Sequence, residues 1–449
     1  MQNAARNAAA RASRGVRPGS AGHGRKGRSH SRCGRAPRSA AAGALLVGGV
    51  IAAFGILLVA ATARAEDRVE VKGEYFTEPS GTQALHVFHP AVGIDVDAHR
   101  DFTLRFGYDA DVVSGATVRT YGALDAVSAA TSFSDTRHSF HGGAQLRLGP
   151  TAVDAGYTYG FENDYNSHAL DVGAKVDLWG KNTTFRLGYS HNFDSVCNVD
   201  NKGAMVTERR SLGASKGCFG KTVGLVSEPL AIDSYAASWT QVLTPILLSD
   251  LSVTFQVLDG FQSNPYRRVR LFNSVEAQES EPLLRERVAL QARFRLALPR
   301  ARGALGILGR FYWDTWGIKS GTAEITWDEW VHPQLLLRVR GRFYQQSRAL
   351  FYRDAGEALS YESVGPVGQY FTGDRELSPF RDYLVGFKVA WVRNADERGK
   401  VWRWFEQLDL NAKIDLIDYQ PLTPLPPNQA RNVGLVNALI AEVGLALRW

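Results

Sequence analysis

Apolar and polar residues alternate strictly along many stretches of the chain after residue 66. Between Phe102 and Asp109, for example, Phe, Leu, Phe and Tyr alternate with Thr, Arg, Gly and Asp. Because successive side chains of a β-strand point to opposite faces, a period of two indicates strands with one apolar face. The pattern predicts sixteen strands, at about residues 68–78, 85–97, 102–113, 138–148, 151–163, 167–179, 183–195, 233–244, 247–259, 285–298, 302–317, 320–331, 334–348, 382–394, 402–418 and 436–449.

The connections between these strands differ in length according to their order along the chain. Every second connection is short, at 98–101, 149–150, 180–182, 245–246, 299–301, 332–333 and 395–401. The alternate connections include all the long ones, at 114–137, 196–232, 260–284, 349–381 and 419–435. Short turns on one rim and long loops on the other are typical of outer-membrane barrels, whereas a soluble β-sandwich has no reason to sort its loops by order. The sequence therefore predicts an all-β fold: a single transmembrane antiparallel β-barrel of about 16 strands, over residues 66–449, in the bacterial outer membrane.

The last predicted strand ends the chain on an aromatic residue. Its polar Glu442, its Gly444, its apolar Leu447 and its terminal Trp449 resemble the signal that the outer-membrane barrel-assembly machinery reads. A strand that must pair with the first strand to close a barrel has a reason to end on such an anchor. The alternative is an ordinary amphipathic edge strand that ends in Trp. The barrel interpretation gives the protein two partners, the assembly machinery and outer-membrane lipid.

The first 65 residues have the composition of an export signal. Residues 1–42 are rich in Lys and Arg and contain no acid, residues 43–61 are apolar, and Ala63-Arg64-Ala65 follows. This order predicts a basic leader and a helical signal peptide over residues 1–65, cleaved before Glu66. A retained single-helix anchor is the alternative, since the apolar run is about as long as a membrane span. The unusually long basic segment is explained most simply by a misassigned start codon.

Removing this leader changes the charge of the protein. The full chain has a formal net charge of +7, but residues 1–65 contribute only basic residues to it. The predicted mature chain is therefore acidic. That balance argues against nucleic acid as a partner, because nucleic-acid binding requires a basic surface.

Two of the three cysteines fall in the predicted mature chain. Cys33 lies in the leader, whereas Cys197 and Cys218 lie in one long connection. In an exported protein such a pair predicts a disulfide. The spacing is far from Cys-x-x-Cys, which argues against a redox-active pair.

Charged residues repeat on the face opposite the apolar one in the C-terminal half. If the apolar face contacts lipid, these residues point into the lumen, where they predict a passive pore whose selectivity depends on arginines and acids. The alternative is that they pair with each other and fill the lumen as a plug. The residues predicted to line the lumen are Arg285, Arg287, Arg293, Arg295, Arg310, Arg338, Arg340, Arg342, Glu324, Asp328, Asp409, Lys413 and Asp415.

A short motif in the loop predicted after the third strand suggests a covalent cofactor. The segment from Asp111 through Ser114 to Thr117 is similar to the Asp-x-x-Ser-Gly-Ala-Thr sequence in which periplasmic flavin transferases link FMN to the Thr hydroxyl. A second copy ends at Thr131 but lacks the Gly. The alternative is a small-residue turn repeated by chance. With FMN attached, the barrel would support electron transfer with a periplasmic redox partner, and a flavin transferase would be a further partner.

Signals for metal binding or catalysis are weak. The pairs His86-x-x-His89 and His138-x-x-His141 have a metal-like spacing, but residues three apart on a strand point to opposite faces. No metal site is therefore predicted. No glycine-rich phosphate loop and no Ser, His and acid set stands out, so the sequence does not predict an enzyme.

Several stretches together resemble a bacterial family known as domain of unknown function 3570, whose members are thought to be outer-membrane barrels. The resemblance implies the barrel fold and its location, and it supplies no established activity. Beside the pore and the flavin-bearing barrel, a surface scaffold without transport is the third functional hypothesis. The stretches that carry the resemblance are Ser114–Thr117, Gly260–Arg267, Trp313–Glu324, Phe343–Gln346, Phe351–Tyr352 and Tyr370–Pro379.

Overall fold

A computed structural model describes most of the chain after the leader. The described residues are 67–78, 85–115, 133–162, 165–199, 225–264, 268–270, 276–352, 370–394, 405–422 and 438–449. The predicted leader, signal peptide and cleavage site lie outside these residues. In the part that is described, no helix is long and apolar enough to cross a membrane.

Sixteen antiparallel strands form one closed barrel. Neighbouring strands follow the order of the chain, and the last strand pairs with the first. The barrel strands are β1 (Arg68–Glu78), β2 (Leu85–His99), β3 (Phe102–Gly115), β4 (Phe133–Leu148), β5 (Thr151–Phe161), β6 (Tyr165–Leu178), β7 (Thr183–Val199), β8 (Leu225–Thr244), β9 (Leu247–Gly260), β12 (Leu284–Leu298), β13 (Gly303–Asp314), β14 (Lys319–His332), β15 (Leu335–Gln346), β16 (Phe380–Asn394), β17 (Gln407–Pro421) and β18 (Ala438–Arg448). A separate hairpin, β10 (Arg268–Arg270) with β11 (Glu276–Gln278), lies in the connection between β9 and β12. The predicted all-β barrel of sixteen strands is confirmed.

The predicted strand limits are wrong mainly on the long-loop side. Strand β8 begins at Leu225 rather than at 233, because Pro229 and apolar residues in both phases hide the alternation there. Strand β4 likewise begins at Phe133 rather than at 138. Strand β17 begins at Gln407 instead of 402. The hairpin of β10 and β11 was not predicted, since three-residue strands are too short to show a period.

The barrel has two different rims. One, called here the short-turn rim, holds tight turns such as Gly149–Pro150 and the start of β1 and end of β18. At the turn from Trp179 to Lys181, three consecutive residues have φ values of 49°, 67° and 69°, with Gly180 in the middle. The opposite rim, called the long-loop rim, holds the long connections. This arrangement agrees with the predicted sorting of loop lengths.

The two faces of the sheet differ sharply in chemistry. Large apolar residues project outward, and Phe106 and Val385 leave 51% and 64% of their surface exposed. The residues that alternate with them in the same strands are charged or polar and point inward. For example, the register places Glu324 opposite Arg342 and Asp328 opposite Arg338 on this inward face. An apolar outer band around a polar interior is the pattern of a transmembrane barrel.

The first and last strands close the barrel along their full length. Their register runs from Arg68 opposite Arg448 to Thr77 opposite Leu439. At the short-turn rim the backbone N–H of Trp449 donates to the carbonyl of buried Asp67 at 3.2 Å. Closure removes both free edges of the sheet, so each of the sixteen barrel strands has a hydrogen-bonded neighbour on each side.

Candidate functional site

The inward face of β12 to β17 carries the residues that the sequence singles out for a lumen. Strand register places all of them on one side of the sheet. Most form ion pairs along this wall rather than projecting freely. We call this part of the inward face the arginine wall. It comprises Arg285, Arg287, Arg293, Arg295, Arg310, Glu324, Asp328, Arg338, Arg340, Arg342, Asp409, Lys413 and Asp415.

Asp328 on β14 binds one arginine from the adjacent β15 and one from β12, across β13. Arg338 contacts it through two nitrogens, at 2.5 and 2.9 Å, and Arg295 contacts it at 2.7 Å. The acid is 8% exposed, while the side chains of Arg295 and Arg338 are 47% and 37% exposed. The carboxylate therefore lies against the sheet, and the two guanidinium groups face the interior.

Asp415 is arranged in the same way. Arg340 lies 2.6 Å and Lys413 lies 3.5 Å from its Oδ2, and Asp415 is 1% exposed. Lys413 also binds Glu442 at 2.9 Å. Neither Glu442 nor the similarly placed Asp382, which binds Arg342 at 3.1 Å, is among the residues predicted for the lumen. The alternation of apolar and polar residues in their strands could have assigned both acids to the inward face.

Two glycines make room for side chains of the inward face. Arg340 on β15 reaches Asp415 on β17 across Gly386 on β16, which is their register partner. A Cβ atom on Gly386 would lie 2.1 Å from Oδ1 of Asp415. A Cβ atom on Gly306 would lie 2.2 Å from the hydroxyl of Thr326. Both glycines therefore have a packing role that the sequence pattern does not reveal.

Arg285 has a structural position at the long-loop rim. Its Nε and one terminal nitrogen bind Asp314 at 2.9 and 2.5 Å, and its guanidinium lies 4.1 Å from the ring centroid of Trp316. The side chains of Arg285 and Asp314 are 9% and 0% exposed. Arg285 thus ties β12 to the turn after β13 and presents little charge to the interior.

Above this pair, the loops of the long-loop rim pack into a small core. We call it the mouth cluster; it consists of Trp316, Ile318, Ala349, Phe351, Tyr352 and Leu377. Glu279 accepts hydrogen bonds from the backbone N–H of Asn264 at 2.6 Å and from the hydroxyl of Thr372 at 2.8 Å. Three connections are therefore held together on the β9 to β16 side of the mouth. A cavity of about 480 Å³ lies beside the cluster, between Trp316 and Tyr165.

The inward face halfway around the ring is rich in acids. Strands β2 to β7 lie opposite β12 to β17 in the barrel order. Two of the basic contacts there are long, with Arg105 at 4.0 Å from Asp95 and Arg186 at 3.8 Å from Asp154, while Lys175 pairs with Asp177 at 3.1 Å. We call this the acidic wall; its acids include Asp95, Asp109, Asp111, Asp154, Asp171 and Asp194. These acids are not among the residues predicted for the lumen, although the same alternation of apolar and polar residues places them on the inward face.

The proposed flavin segment is only partly described. Asp111 and Ser114 belong to β3, so the expectation that the motif lies wholly outside the strands is wrong. Asp111 points inward, where its carboxylate lies 2.7 Å from Nδ1 of His89. Strand β3 continues because its backbone pairs with both β2 and β4 up to Gly115. Thr117 and Thr131 lie outside the described residues.

The two His-x-x-His pairs are each divided between the faces. His86 and His138 point outward and form hydrogen bonds with Tyr75 and Tyr108. His89 contacts Asp111, and His141 lies 3.0 Å from the hydroxyl of Thr158 on the inward face. Within the described ranges, no group of three or more His, Cys, Asp or Glu residues is arranged to hold a metal ion.

Cys197 lies at the long-loop end of β7, is fully buried and is disulfide-bonded. Cys218, its predicted partner, lies outside the described residues. The pairing of the two stays a prediction.

The residues of the predicted assembly signal fall on both faces of β18. Leu447 is outward, and the ring of Trp449 contacts that of Phe405 at 6.2 Å between centroids. Glu442 points inward to Lys413. A Cβ atom on Gly444 would lie 2.8 Å from Nδ2 of Asn411. Glu442 and Trp449 therefore also have contacts in the folded barrel, and Gly444 leaves space for Asn411.

The barrel is similar in fold to several solved structures. A bacterial polysaccharide outer membrane secretin shares 10% identity with a TM-score of 0.44, over 85% of this chain and 98% of that chain. OpdQ of Pseudomonas aeruginosa shares 8% identity with a TM-score of 0.38, over 86% and 98%. The outer membrane protein opdK of the same organism shares 7% identity with a TM-score of 0.39, over 86% and 98%. Among proteins with curated descriptions, none matches this chain.

A family profile gives the closer relationship. The profile described as "Protein of unknown function (DUF3570)" matches residues 39–401, which is most of the sequence. The match takes in nearly all the barrel strands, including the arginine wall from β12 to β16. The resemblance seen in the sequence is therefore confirmed, and the chain belongs to the DUF3570 family.

Proposed function

We propose that this protein is a passive diffusion channel of the bacterial outer membrane. The proposal rests on one observation, the division of a closed sixteen-strand sheet into an apolar outward face and a charged inward face. The outward face suits the hydrocarbon of a bilayer. A barrel of about sixteen strands is wide enough for a water-filled channel.

The positions of the rims support an orientation. The described barrel begins at Arg68 and ends at Arg448, and both residues lie at the short-turn rim. In outer-membrane barrels the short turns are periplasmic and the longer loops are external. The short-turn rim is therefore the periplasmic side, and the mouth cluster lies on the external side.

The two charged walls are the proposed selectivity element. Cations of the arginine wall face the interior while their acids lie against the sheet. Acids predominate on the opposite wall. Charges of opposite sign across a lumen set a transverse field, and such fields govern which ions pass a pore.

Single-channel recording in planar bilayers tests the channel and its selectivity. We expect stepwise conductance from the wild-type protein. Replacing Arg338, Arg340 and Arg342 by Gln removes three interior cations, and the reversal potential in a salt gradient should shift toward cation selectivity. Arg300→Gln, in an exposed turn of the short-turn rim, is the control and should leave the potential unchanged.

The outcomes separate three hypotheses. If conductance persists with unaltered selectivity in a triple variant that still folds, the arginines do not form the filter although the pore is real. If the folded wild-type barrel conducts no ions, it is not a channel, and the scaffold hypothesis replaces it. Folding is checked in every variant by heat-dependent gel mobility, because removing an arginine leaves its acid unpaired.

Covalent FMN at Thr117, with Thr131 as the weaker candidate, stays a separate prediction. Asp111 and Ser114 belong to β3, which pairs with β2 and β4 on its two sides. A periplasmic flavin transferase would therefore have to act before this strand joins the sheet. The intact mass of protein from a host with such a transferase tests this. We expect the mass of one FMN to be added and to be lost in Thr117→Ala; a mass equal to that of the bare chain excludes the flavin hypothesis.

A further inference from the structure

A recess opens in the arginine wall at mid-height of the barrel. It has a volume of about 340 Å³ and extends from β12 to β18. This volume falls at the lower end of the range of about 300–1,000 Å³ found for small-molecule sites. Gly306 and Gly386 form part of its surface, and their lack of side chains keeps the space open. Its basic residues are Arg293, Arg295, Arg338, Arg340, Lys388 and Lys413.

The acids of the recess are already engaged. Asp415 is held by Arg340 and Lys413 and is 1% exposed. Glu442 is bound to Lys413 at 2.9 Å, and Glu324 lies 3.8 Å from Arg340. Asp328, beneath the recess, is shared by two arginines. The carboxylates thus neutralise only part of the basic charge around them.

Two cations of the recess have no acid at salt-bridge distance among the described residues. Arg293 is exposed on the inward face of β12, and Lys388 lies on β16 opposite both Arg338 and Lys413 in register. Glu442 attracts Lys388 from a distance, but it is bound to Lys413 at 2.9 Å. A lysine placed between two other cations is electrostatically unfavourable unless further negative charge is near. The excess positive charge and the concave shape of the recess therefore both favour a negatively charged ligand.

We propose that this recess is a binding site for a small organic oxyanion, such as a molecule with one or two carboxylate groups, held chiefly by Arg293 and Lys388. This inference rests on the proposed channel function: the site would bind anions transiently while they pass through the lumen. Guanidinium and ammonium groups bind carboxylates through charge-assisted hydrogen bonds, which are stronger than neutral ones. The limited volume excludes larger solutes such as oligosaccharides.

Current block by succinate tests this site. Succinate is added to channels conducting KCl, and its uncharged analogue succinamide is the matched control ligand. We expect succinate to reduce the current in a saturable way and succinamide to have no such effect. The variants Arg293→Gln and Lys388→Gln should each raise the half-blocking concentration about tenfold, the loss expected for one charge-assisted hydrogen bond.

Two control variants make the test specific. Lys175→Gln removes an inward cation from the acidic wall, where it pairs with Asp177 at 3.1 Å, and it should leave the block unchanged. Arg293→Lys keeps the charge and should retain most of the affinity. The site is disproved if the channel conducts but succinate blocks no more than succinamide, or if Lys175→Gln has the same effect as Lys388→Gln.

Failure of the channel itself is distinguished by direct binding. If the folded barrel does not conduct, titration calorimetry of the detergent-solubilised protein with succinate still measures the site. Saturable binding that is weakened by Arg293→Gln supports the recess although the channel function is wrong. Absence of binding disproves the recess.

Discussion

At the scale of single residues, glycines decide how charge is arranged inside the barrel. Asp415 can lie flat against the wall, 1% exposed, because Gly386 leaves space on the intervening strand. Arg340 then bridges β15 to β17 over that glycine. The buried acid and its half-buried arginine together form a surface that presents positive charge to the interior.

Gly386→Ala tests this arrangement. The added Cβ would lie 2.1 Å from Oδ1 of Asp415 and 3.3 Å from Nε of Arg340, so the ion pair must move. We expect the free energy of unfolding to fall by about 1–3 kcal/mol, as measured by denaturant titration of the reconstituted barrel. Gly309→Ala is the matched control, because nothing lies within 4 Å of its added Cβ, and it should change stability by less than about 0.5 kcal/mol.

A double-mutant cycle assigns the loss to the acid. In the Asp415→Ala background, the effect of Gly386→Ala should largely disappear, since the atom that it displaces is gone. An equal loss in both backgrounds would show that the cost comes from the backbone of β16 and not from the ion pair.

At the scale of elements, β18 has the decisive position because it is the strand that closes the ring. It pairs with β17 on one side and with β1 on the other. Trp449 extends this strand: its N–H binds the carbonyl of Asp67, and its ring contacts Phe405. The end of the chain therefore contributes to the seam as well as to the predicted assembly signal.

Trp449→Asp should block assembly rather than merely weaken the folded barrel. The substitution places a charge where an outward aromatic residue stands and removes the contact with Phe405. We expect the variant to be missing from the membrane fraction and to lack heat-dependent gel mobility. Trp449→Phe keeps an aromatic ring and should insert normally. Insertion of Trp449→Asp at wild-type level would contradict the assembly role.

At the scale of the whole molecule, the stretches that resemble the family converge on one region. Ser263, Trp316, Phe351 and Thr372 come from four of these stretches, and all lie at the long-loop rim around or beside the mouth cluster. They are far apart in the sequence and meet only because the barrel aligns its strands. The region is a packed structure at the long-loop rim, formed by three connections between strands.

Much of the fold could be predicted because its main determinant is local. A period of two in apolar residues fixes which face of each strand meets lipid, and strands of membrane barrels pair with their chain neighbours. The residues of the arginine wall were assigned to the inward face by the same rule, as with Arg338 and Arg340. The predicted start of β8 is wrong because Pro229 and apolar residues at both alternating positions interrupt the pattern there.

The sequence by itself thus determined the barrel, its strand number and its two faces, because each depends on near neighbours along the chain. Only the tertiary structure decided which charges pair. Arg340 and Asp415 lie on β15 and β17, so their contact depends on register across a third strand and on the space at Gly386. The same holds for the burial of Arg285 and for the excess of cations around Lys388. These are properties of strands brought side by side, and no pattern within one strand contains them.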